Sequence, residues 1–336
     1  MRSAARVRRT TIVATVTLVL FVIAIVLSLG VGARPIPPAI VWEALVAPDP
    51  DSAAHTVLLT QRVPRTVIAI VAGACLALAG TVMQGLTRNP LADPGLLGIN
   101  AGASLAVLVA ILLLGIATPT GFVWFAFGGA AIAAVVVAVI GGRGPDGGNP
   151  AKLALTGAAV TAGLTAVTML ILTTRIFALD VYRYWSVGGL TARGLDTVAV
   201  VAVPLLIGVV LALVSSRGLD LIALGADTAS GLGHNVARTR AVGILATVLL
   251  CGGATAIAGP IMFLGLVVPH ALRSVLGGEY RRLLLIGIPA GATLLLLADV
   301  VGRVIAPGEV QAGIVVAFVG APLLVALVLR RRLVTL

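Results

Sequence analysis

The stretch that decides the fold reads RVPRTVIAIVAGACLALAGTVMQGLTRNPLADP, residues 62–94. Its residues 66–87 contain no charged side chain. About 20 apolar residues in a helix cross the hydrocarbon core of a bilayer, which is about 30 Å thick. Residues 66–87 are therefore predicted to span a membrane. Pro90 and Pro94 predict a tight turn after them, because proline does not continue a helix.

The composition of the whole chain agrees with this stretch. Of the 336 residues, 60% are hydrophobic and 10% are charged, and the mean hydropathy is +1.16. Soluble domains carry about 25% charged residues, so an integral membrane protein in contact with lipid is predicted. The basic residues behind the formal charge of +11 lie in short gaps between apolar runs. Such gaps are typical of cytoplasmic loops, and binding to nucleic acid is not expected.

Further uncharged runs predict an all-α polytopic fold with about ten transmembrane helices. Single spans are predicted at residues 10–33, 66–87, 153–174, 197–216, 283–298 and 310–329. Residues 94–142 are interrupted near residues 118–121 and predict two spans. Residues 241–272 contain Gly259-Pro260 and Pro269, so they predict one full span and one short or broken span.

The distribution of arginine and lysine predicts the orientation. With the N-terminus inside, the inner side receives most of the 23 basic residues. Cytoplasmic loops carry an excess of Lys and Arg, so both termini are predicted to be cytoplasmic. The chain 1–336 is expected to form one transmembrane domain, with residues 1–9 as a cytoplasmic tail and residues 216–240 as the longest cytoplasmic loop.

A weak internal repeat links the second and seventh spans, which run in opposite directions in the predicted topology. At a constant offset, Gly73, Ala77, Ala79, Gly80, Met83 and Pro90 match Gly252, Ala256, Ala258, Gly259, Met262 and Pro269. Inverted repeats are typical of transporters, because two halves that rock about a shared axis give alternating access. Chance similarity between two Ala/Gly-rich helices is the alternative.

Charged residues at the outer ends of two spans need an explanation. Arg62 and Arg65 precede the second span on the outer side, against the excess of basic residues inside. They indicate either contact with lipid headgroups and water or a docking surface for an acidic partner, because arginine pairs with carboxylates. Asp299 ends the ninth apolar run and Arg303 follows one helical turn later, so a pair is expected. For Asp299 a structural or docking role is favoured over a proton site.

The sequence lacks the residues for catalysis. The only lysine, Lys152, does not stand in the Gly-Lys-Ser/Thr sequence of a phosphate loop, so ATP hydrolysis would require another chain. A membrane-embedded enzyme would need His, Asp, Glu or Ser clustered on neighbouring helices, and the spans offer no such cluster. His270 has no second metal ligand nearby in the sequence, so no metal site is predicted.

Taken together, the motifs resemble the FecCD/BtuC family of iron–siderophore and cobalamin importer permeases. They follow the order of the family from about residue 62 to residue 322: Arg62-Val-Pro-Arg65, Gly80, Gln84, Asn89-Pro90-Leu91-Ala92-Asp93-Pro94, Gly98, Trp185-Ser-Val-Gly188-Gly-Leu190, Leu224-Gly225, Gly265-Leu266-Val-Val-Pro269-His270 with Arg273, Asp299 with Arg303, and Gly320-Ala-Pro322.

The resemblance implies an inverted-repeat ABC importer permease fold and a set of partners. These are a second permease subunit, identical or homologous, an extracytoplasmic substrate-binding protein and two cytoplasmic ATPase subunits. ATP and Mg²⁺ would bind the ATPases, and this chain would bind no cofactor. The family's docking arginines match Arg62, Arg65 and Arg303, and a structural motif comprises Gln84, Asn89, Pro90, Pro94, Pro269 and Asp299.

The cytoplasmic loop 216–240 matches the family's coupling helix, which sits in a cleft of the ATPase. The matching residues are Leu224, Gly225, Ala226, Asp227, Ala229, Gly231, Leu232 and Gly233. A short helix with Asp227 as its N-cap and a glycine at each end is expected, and a solvated connector is the alternative. Two positions depart from the family: Ala226 replaces the usual Glu after Leu-Gly, and Gln311 replaces the usual proline after Glu309.

The resulting prediction is a transporter subunit and not an enzyme. It would move an iron–siderophore from a binding protein through the cytoplasmic (inner) membrane of a bacterium. A cobalamin or haem importer permease is the alternative within the family. An ion-coupled secondary carrier is the alternative from another class, although carriers typically use several intramembrane acids or broken polar helices. The sequence leaves the identity of the chelate open.

Overall fold

The computed structural model describes residues 2–32, 34–116, 118–143, 150–175, 182–183, 185–191, 193–306 and 308–329, and these contain helices and turns without a strand. Residues 330–336, whose arginines support the predicted orientation, lie outside this range. The helices are α1 (Arg2–Gly30), α2 (Pro38–Val46), α3 (Ala53–Val57), α4 (Val63–Thr87), α5 (Ile99–Leu114), α6 (Pro119–Gly142), α7 (Pro150–Thr174), α8 (Leu195–Ala223), α9 (Ala226–Gly231), α10 (Val236–Ala258), α11 (Leu264–Leu276), α12 (Tyr280–Val304) and α13 (Ala312–Leu329).

Each predicted span coincides with a described helix. Seven helical stretches are long and apolar enough to cross a membrane: Arg6–Gly30, Ala53–Thr87, Thr120–Gly142, Ala151–Thr174, Leu195–Ala223, Val236–Ala258 and Tyr280–Val304. Three further apolar helices are shorter: Ile99–Leu114, Leu264–Leu276 and Ala312–Ala326. The chain is therefore an all-helical, multi-pass membrane protein.

The breaks between neighbouring spans lie where proline and glycine predict them. Pro119 occupies the first turn of α6, and the Thr118 hydroxyl accepts a hydrogen bond from the Gly121 N–H at 3.3 Å as its N-cap. Helix α10 stops at Gly259, which has a left-handed φ of 74°. Pro269 lies inside α11 and does not end it, so the interruption of residues 241–272 is at Gly259-Pro260 alone.

Two predicted boundaries are wrong. The ninth span continues to Val304, so Asp299 lies inside helix α12 and not at its end. The predicted loop 216–240 is shorter than expected, because α8 runs on to Ala223 and α10 begins at Val236. In both cases the prediction placed the end of a helix at a charged side chain. In the structure the helical backbone continues past that residue.

Helix α4 lies at the centre of the bundle, against α8, α10, α11 and α12. Small residues permit these contacts. A Cβ atom at Gly73 would lie 2.4 Å from the Gly291 carbonyl oxygen of α12, and one at Gly80 would lie 1.8 Å from the Gly265 carbonyl oxygen of α11. Pro269 has no N–H to donate to that same Gly265 carbonyl four residues back, so the carbonyl is left facing Gly80. In lipid the hydrophobic effect does not favour contact between helices. Close approach of their backbones instead allows the van der Waals packing that holds them together.

The periphery of the bundle is apolar and exposed. On α1, Ile12 and Val16 are 51% and 52% exposed, and on α8 Leu206 is 66% exposed. Water would disfavour such surfaces, whereas lipid tails accommodate them. These helices therefore present their outer sides to the bilayer.

Two short helices between α1 and α4 were not predicted. Helix α2 carries Pro38 in its first turn and exposes Trp42, whose side chain is 70% accessible. Helix α3 continues without a break through a π-helical turn, Leu58–Arg62, into α4. In that turn the Val63 N–H donates to the Leu58 carbonyl five residues back. The next residue, Pro64, has no N–H, so it cannot donate the hydrogen bond to a carbonyl four residues back that would resume the α-helical pattern.

We expect Gly80→Ala to destabilise the bundle by about 1–3 kcal/mol, because its methyl group would force the α4 and α11 backbones apart. A thermal unfolding series in detergent, followed by the loss of the monodisperse size-exclusion peak, measures the effect.

Gly128→Ala is the matched control. Gly128 is also inside a helix, but no atom lies within 4 Å of the position of its Cβ. Its replacement should be neutral or stabilising by up to about 1 kcal/mol, because alanine favours helix. Equal losses in the two variants would show that close packing at Gly80 contributes nothing.

Candidate functional site

A buried ion cluster joins the C-terminal ends of α1 and α12 to the start of α4. The Asp299 carboxylate of α12 accepts from Arg65 Nε at 2.9 and 3.0 Å, and Arg65 NH2 lies 2.8 Å from its Oδ1. Arg303 donates to the same carboxylate through Nε at 3.0 Å and through NH2. Asp299 is fully buried. One carboxylate therefore holds an arginine from α4 and another from its own helix, as the i, i+4 spacing predicted.

The C-terminal end of α1 completes the coordination of Arg303. Its NH1 donates to the carbonyls of Ser28 at 2.7 Å and Val31 at 3.1 Å, and its NH2 donates to the Ser28 hydroxyl at 3.2 Å. The carbonyls in the last turn of a helix have no N–H partner within it and carry partial negative charge. The Arg303 guanidinium thus donates hydrogen bonds to the free carbonyls at the end of α1 while it pairs with Asp299.

Arg62 binds the same helix end without a carboxylate. Its NH1 donates to the carbonyls of Leu29 at 2.7 Å and Gly30 at 2.8 Å, and its NH2 donates to the carbonyl of Arg34. Arg62 is 7% exposed. Its charge therefore caps the end of α1 and the turn after it.

Glu309 connects this cluster to the surface. Its carboxylate accepts from Arg65 NH1 at 2.9 Å, and its side chain is 38% exposed, whereas that of Arg65 is 10% exposed. The Glu309 backbone has a left-handed φ of 49°, which is uncommon for a residue with a side chain. Arg65 is thus held on one edge by buried Asp299 and on the other by a carboxylate that water reaches.

The three arginines predicted to dock a partner are consequently brought together, but they are not exposed rim charges. Arg62, Arg65 and Arg303 are buried, and each donates to groups of this chain. The exposure that the docking interpretation assumed is wrong, because the ends of α1, α4 and α12 enclose the guanidinium groups. A docking role for these residues stays a prediction.

The predicted inner turn is present after α4. Arg88 ends the helix with a left-handed φ of 50°, and the Asn89 side chain accepts from the Leu91 N–H at 2.9 Å. The Asp93 side chain then accepts from the Gly95 N–H at 2.8 Å at the start of a 3-10 turn, Pro94–Leu97. Side chain to backbone bonds of this kind replace the helical pattern that Pro90 and Pro94 cannot make. The structural motif therefore reverses the chain between α4 and α5.

Polar side chains are buried beside this turn. Gln84 donates to the Leu266 carbonyl at 3.4 Å, while its Oε1 has no partner. Nearby, Arg273 stacks over the ring of Tyr280 at 4.9 Å, and its Nε and NH2 have no partner. The Tyr280 N–H donates to Asp220 at 2.9 Å, which links α12 to α8. These contacts join the inner ends of α4, α8, α11 and α12.

The predicted coupling segment forms the six-residue helix α9. Gly225, with φ 116°, precedes it and Gly233, with φ 80°, follows it, so the expected glycine at each end is present. Asp227 lies in the first turn and is not the N-cap, because Gly225 occupies that position. Ala229 packs against Ile222 and Val236, whereas Leu224 and Leu232 are 62% and 65% exposed. The segment thus has a fixed inner side and an apolar outer side.

The Trp185–Leu190 motif packs on the break between α10 and α11. A Cβ atom at Gly188 would lie 2.4 Å from the Pro260 carbonyl oxygen, and the Gly188 carbonyl accepts from the Gly313 N–H at 2.9 Å. Trp185 is buried at 4% exposure. Gln311, at the position where the family usually has proline, places its side chain against Gly189. The motif therefore fastens the outer loops to the start of α13.

A cavity of about 710 Å³ opens beside this motif, between α5, α7 and α13. Its lining includes the polar residues Asn100, Ser104, Thr161, Thr165, Thr168, Tyr182 and Ser186. The three threonines follow the spacing of one helix face on α7. Met169, Phe318 and Pro322 are among its apolar lining residues. The cavity can hold a bulky ligand that offers both carbon surface and oxygen atoms.

No metal-binding group of three or more His, Cys, Asp or Glu occurs among the residues that the structure describes. Cys75 and Cys251 are both buried and free.

The model of the FecCD transport family matches residues 20–330 of this sequence. The chain belongs to the FecCD transport family.

Curated relatives and a solved structure agree with this membership. The ferric enterobactin transport system permease protein FepD of Escherichia coli (strain K12) is 45% identical over 314 residues, which cover 94% of each chain. The iron(3+)-hydroxamate import system permease protein FhuB of Bacillus subtilis (strain 168) is 36% identical over 91% of this chain and 80% of its own length. A metal-chelate type ABC transporter in an inward-facing conformation superposes with a TM-score of 0.82 at 28% identity, covering 94% of this chain and 98% of that chain.

Membership in this family confirms the resemblance and identifies the chain as an ABC transporter permease. It is a transport subunit, and the predicted absence of enzymatic function agrees with the relatives, which are permease proteins. An ion-coupled secondary carrier is thereby removed as an alternative. The roles of individual residues rest on the geometry alone.

Sequence reasoning missed three residues that bind the helix ends in this half of the bundle. Glu309 and Ser28 are separated from Arg65 and Arg303 by hundreds of positions, and no spacing rule connects them. Arg193 is buried and donates to the Ile257 carbonyl at 2.6 Å, at the end of α10. Burial lowers the pKa of Arg193 to about 10, which still leaves it charged at neutral pH. Its position four residues before the uncharged run 197–216 was the only available signal for it.

Proposed function

We propose that this chain is the membrane permease of an ABC importer that carries a ferric siderophore from a binding protein into the cytoplasm of a bacterium, across its inner membrane. The observation that carries the proposal is FecCD membership over residues 20–330, with a ferric enterobactin permease 45% identical. Two relatives with different ferric chelates in their names support the substrate class. The chain itself binds no cofactor in this proposal.

The proposed topology has ten crossings with both termini in the cytoplasm. Seven long apolar helices and three shorter ones support this number. The shortest, α11, has 13 residues and reaches only about 20 Å, so it crosses as a partial span supported by the protein around it. The distribution of basic residues supports the orientation. The matching Gly and Ala residues of α4 and α10, which pack together, support an inverted repeat.

The cavity between α5, α7 and α13 is the proposed part of the ligand route in this subunit. The hydroxyls of Thr161 and Thr165 can donate to the oxygen atoms of a chelate, whereas that of Thr168 donates to the Leu164 carbonyl, and the apolar lining residues can contact carbon surface. Because it is open on one side, a second permease subunit facing it would close the route.

The proposed contact with the ATPase is helix α9. Leu224 and Leu232 are apolar, exposed and on a segment that is anchored through Ala229. Exposed leucines on an otherwise polar loop are typical of a surface that a partner covers. ATP and Mg²⁺ would be bound by two such ATPase subunits, and closure of the pair would move α9.

The proposed docking contact for the binding protein is Arg65 with Glu309. Of the three predicted arginines, Arg65 is the one that pairs with a solvent-exposed carboxylate. A carboxylate on the binding protein can replace Glu309 without exposing an unpaired guanidinium, because Asp299 holds the other edge. Docking would then be an exchange of carboxylates, and Arg62 and Arg303 would fix the backbone beneath it.

The substrate class is tested by ATP hydrolysis in proteoliposomes that contain this permease, its ATPase and its binding protein. We expect the binding protein loaded with a ferric siderophore to stimulate hydrolysis and uptake. The comparison set is haem, cobalamin and ferric citrate. Stimulation by cobalamin or haem alone would contradict the substrate, whereas hydrolysis by the permease without its ATPase would contradict the subunit assignment.

The ATPase contact is tested by single cysteines introduced at Leu224, Leu232 and Ala229. The native Cys75 and Cys251 are buried, so thiol-specific crosslinkers meet little background. We expect crosslinks to the ATPase from positions 224 and 232, and none from buried position 229. A complex that transports normally but crosslinks from neither leucine position would exclude α9 as the contact.

The exchange of carboxylates is tested with Glu309→Gln. Removing this competing negative charge should raise the association rate of the binding protein several-fold and change its salt dependence, because rim charges act mainly on association. Surface plasmon resonance on the permease complex in nanodiscs measures both. An unchanged rate and salt dependence would contradict the docking proposal.

Asp299→Asn tests the structural role of the same cluster. It leaves two buried arginines without their carboxylate, which we expect to cost about 3–5 kcal/mol of stability. Glu309→Gln should cost far less, since Glu309 is partly exposed. Arg62→Glu is unsuitable as a test of docking, because it would place a carboxylate among backbone carbonyls and so disturb the fold.

A further inference from the structure

A basic cavity lies on the opposite side of the protein from the docking cluster. Its volume is about 440 Å³. Its wall is formed by the start of α1 and by the connection between α11 and α12: Arg6, Arg9, Thr10, Leu276, Gly277, Gly278, Glu279 and Arg282. Three arginines thus face one glutamate. The transport function described above uses none of these residues.

Hydrogen bonds and an ion pair hold the residues that line the cavity in place. Arg282 pairs with Glu279 at 2.8 Å and donates to the Thr10 hydroxyl at 3.2 Å. Thr10 in turn donates to the Arg6 carbonyl at 3.0 Å. These bonds fasten the first turns of α1 to the N-terminus of α12, so the arginines have a fixed backbone frame.

A further arginine lies behind the wall. The N-terminus of the 25-residue helix α12 adds little, because its Tyr280 N–H already donates to the Asp220 carboxylate at 2.9 Å. Behind Gly278 lies Arg273, whose NH1 is 3.8 Å from the position of a Cβ there. Arg273 is 3% exposed, and its Nε and NH2 have no partner. The cavity is suited to a monoanion with several oxygen atoms.

The position along α1 identifies the source of that anion. Thr10 lines the cavity, and the uncharged run of α1 begins at the same residue. Directly beyond it, Ile12 and Val16 are more than half exposed on the side that meets lipid. A phosphate held by Arg9 and Arg282 would therefore lie at headgroup level, with its acyl chains along α1.

We propose that this cavity binds the headgroup of an anionic phospholipid, with phosphatidylglycerol as the probe. Arg6, Arg9 and Arg282 would contact the phosphate, and the bound lipid would link α1 to the α11–α12 connection. Zwitterionic phosphatidylcholine is a weaker ligand, because its ammonium group adds positive charge to a site that already has an excess of it.

Native mass spectrometry of the purified, delipidated full-length chain tests the proposal by titration with phosphatidylglycerol or phosphatidylcholine. We expect the parent chain to retain phosphatidylglycerol preferentially. Arg9→Gln with Arg282→Gln should weaken that binding by at least about fivefold, since each basic residue near an anionic lipid contributes roughly that factor. Arg6→Gln with Arg9→Gln, which leaves the pair of Arg282 with Glu279 in place, should do the same.

Arg8→Gln with Arg281→Gln is the matched control, because it removes one arginine from each of the same two helices outside the cavity. It should retain the preference. An equal loss in this control would overturn the proposal in favour of general surface charge. Displacement of the lipid by excess inorganic phosphate would overturn it in favour of a soluble anion. In a separate purification together with the ATPase, loss of the ATPase from the Arg9 and Arg282 variant, with unchanged lipid binding, would assign the cavity to that partner.

Discussion

The pairing of one buried carboxylate with two arginines is the interaction on which the arrangement of α1, α4 and α12 depends. Asp299 receives Arg65 from α4 and Arg303 from α12, and Arg303 also satisfies the end of α1. A charge in this position is costly unless it is paired, and each member here is also hydrogen-bonded. The cluster therefore fixes three helix ends that lipid alone would leave free to slide.

Close packing around α4 complements this constraint. Gly73 and Gly80 bring backbones into contact with α12 and α11, and Pro269 leaves a carbonyl where Gly80 can approach it. Ionic bonds at the end of a helix and small residues along its length act on the same element. A central helix packed along its whole length suits a permease, because motion at one end then reaches the other as a movement of whole helices.

Much of the fold followed from the sequence, because uncharged runs and proline report directly on a bilayer. The turn after Thr87 and the glycines around α9 were predicted for physical reasons that act between near neighbours. Exposure was not. Arg62 and Arg65 were read as rim charges, since a sequence does not show that the end of α1 covers them. The contact of Glu309 with Arg65 is equally invisible, because it joins residues with no spacing in common.

The positions of the aromatic residues have a spectroscopic consequence. The chain contains three tryptophans. Trp42 lies on α2, Trp124 lies in the first turns of α6, and Trp185 lies in the loop against Gly259, all on the side away from α9. The tryptophan fluorescence of this subunit therefore originates in the half of the bundle that contains the Asp299 cluster. It will respond to events there, with exposed Trp42 and buried Trp185 differing in emission. It will not respond to changes around α9 unless the whole bundle transmits them.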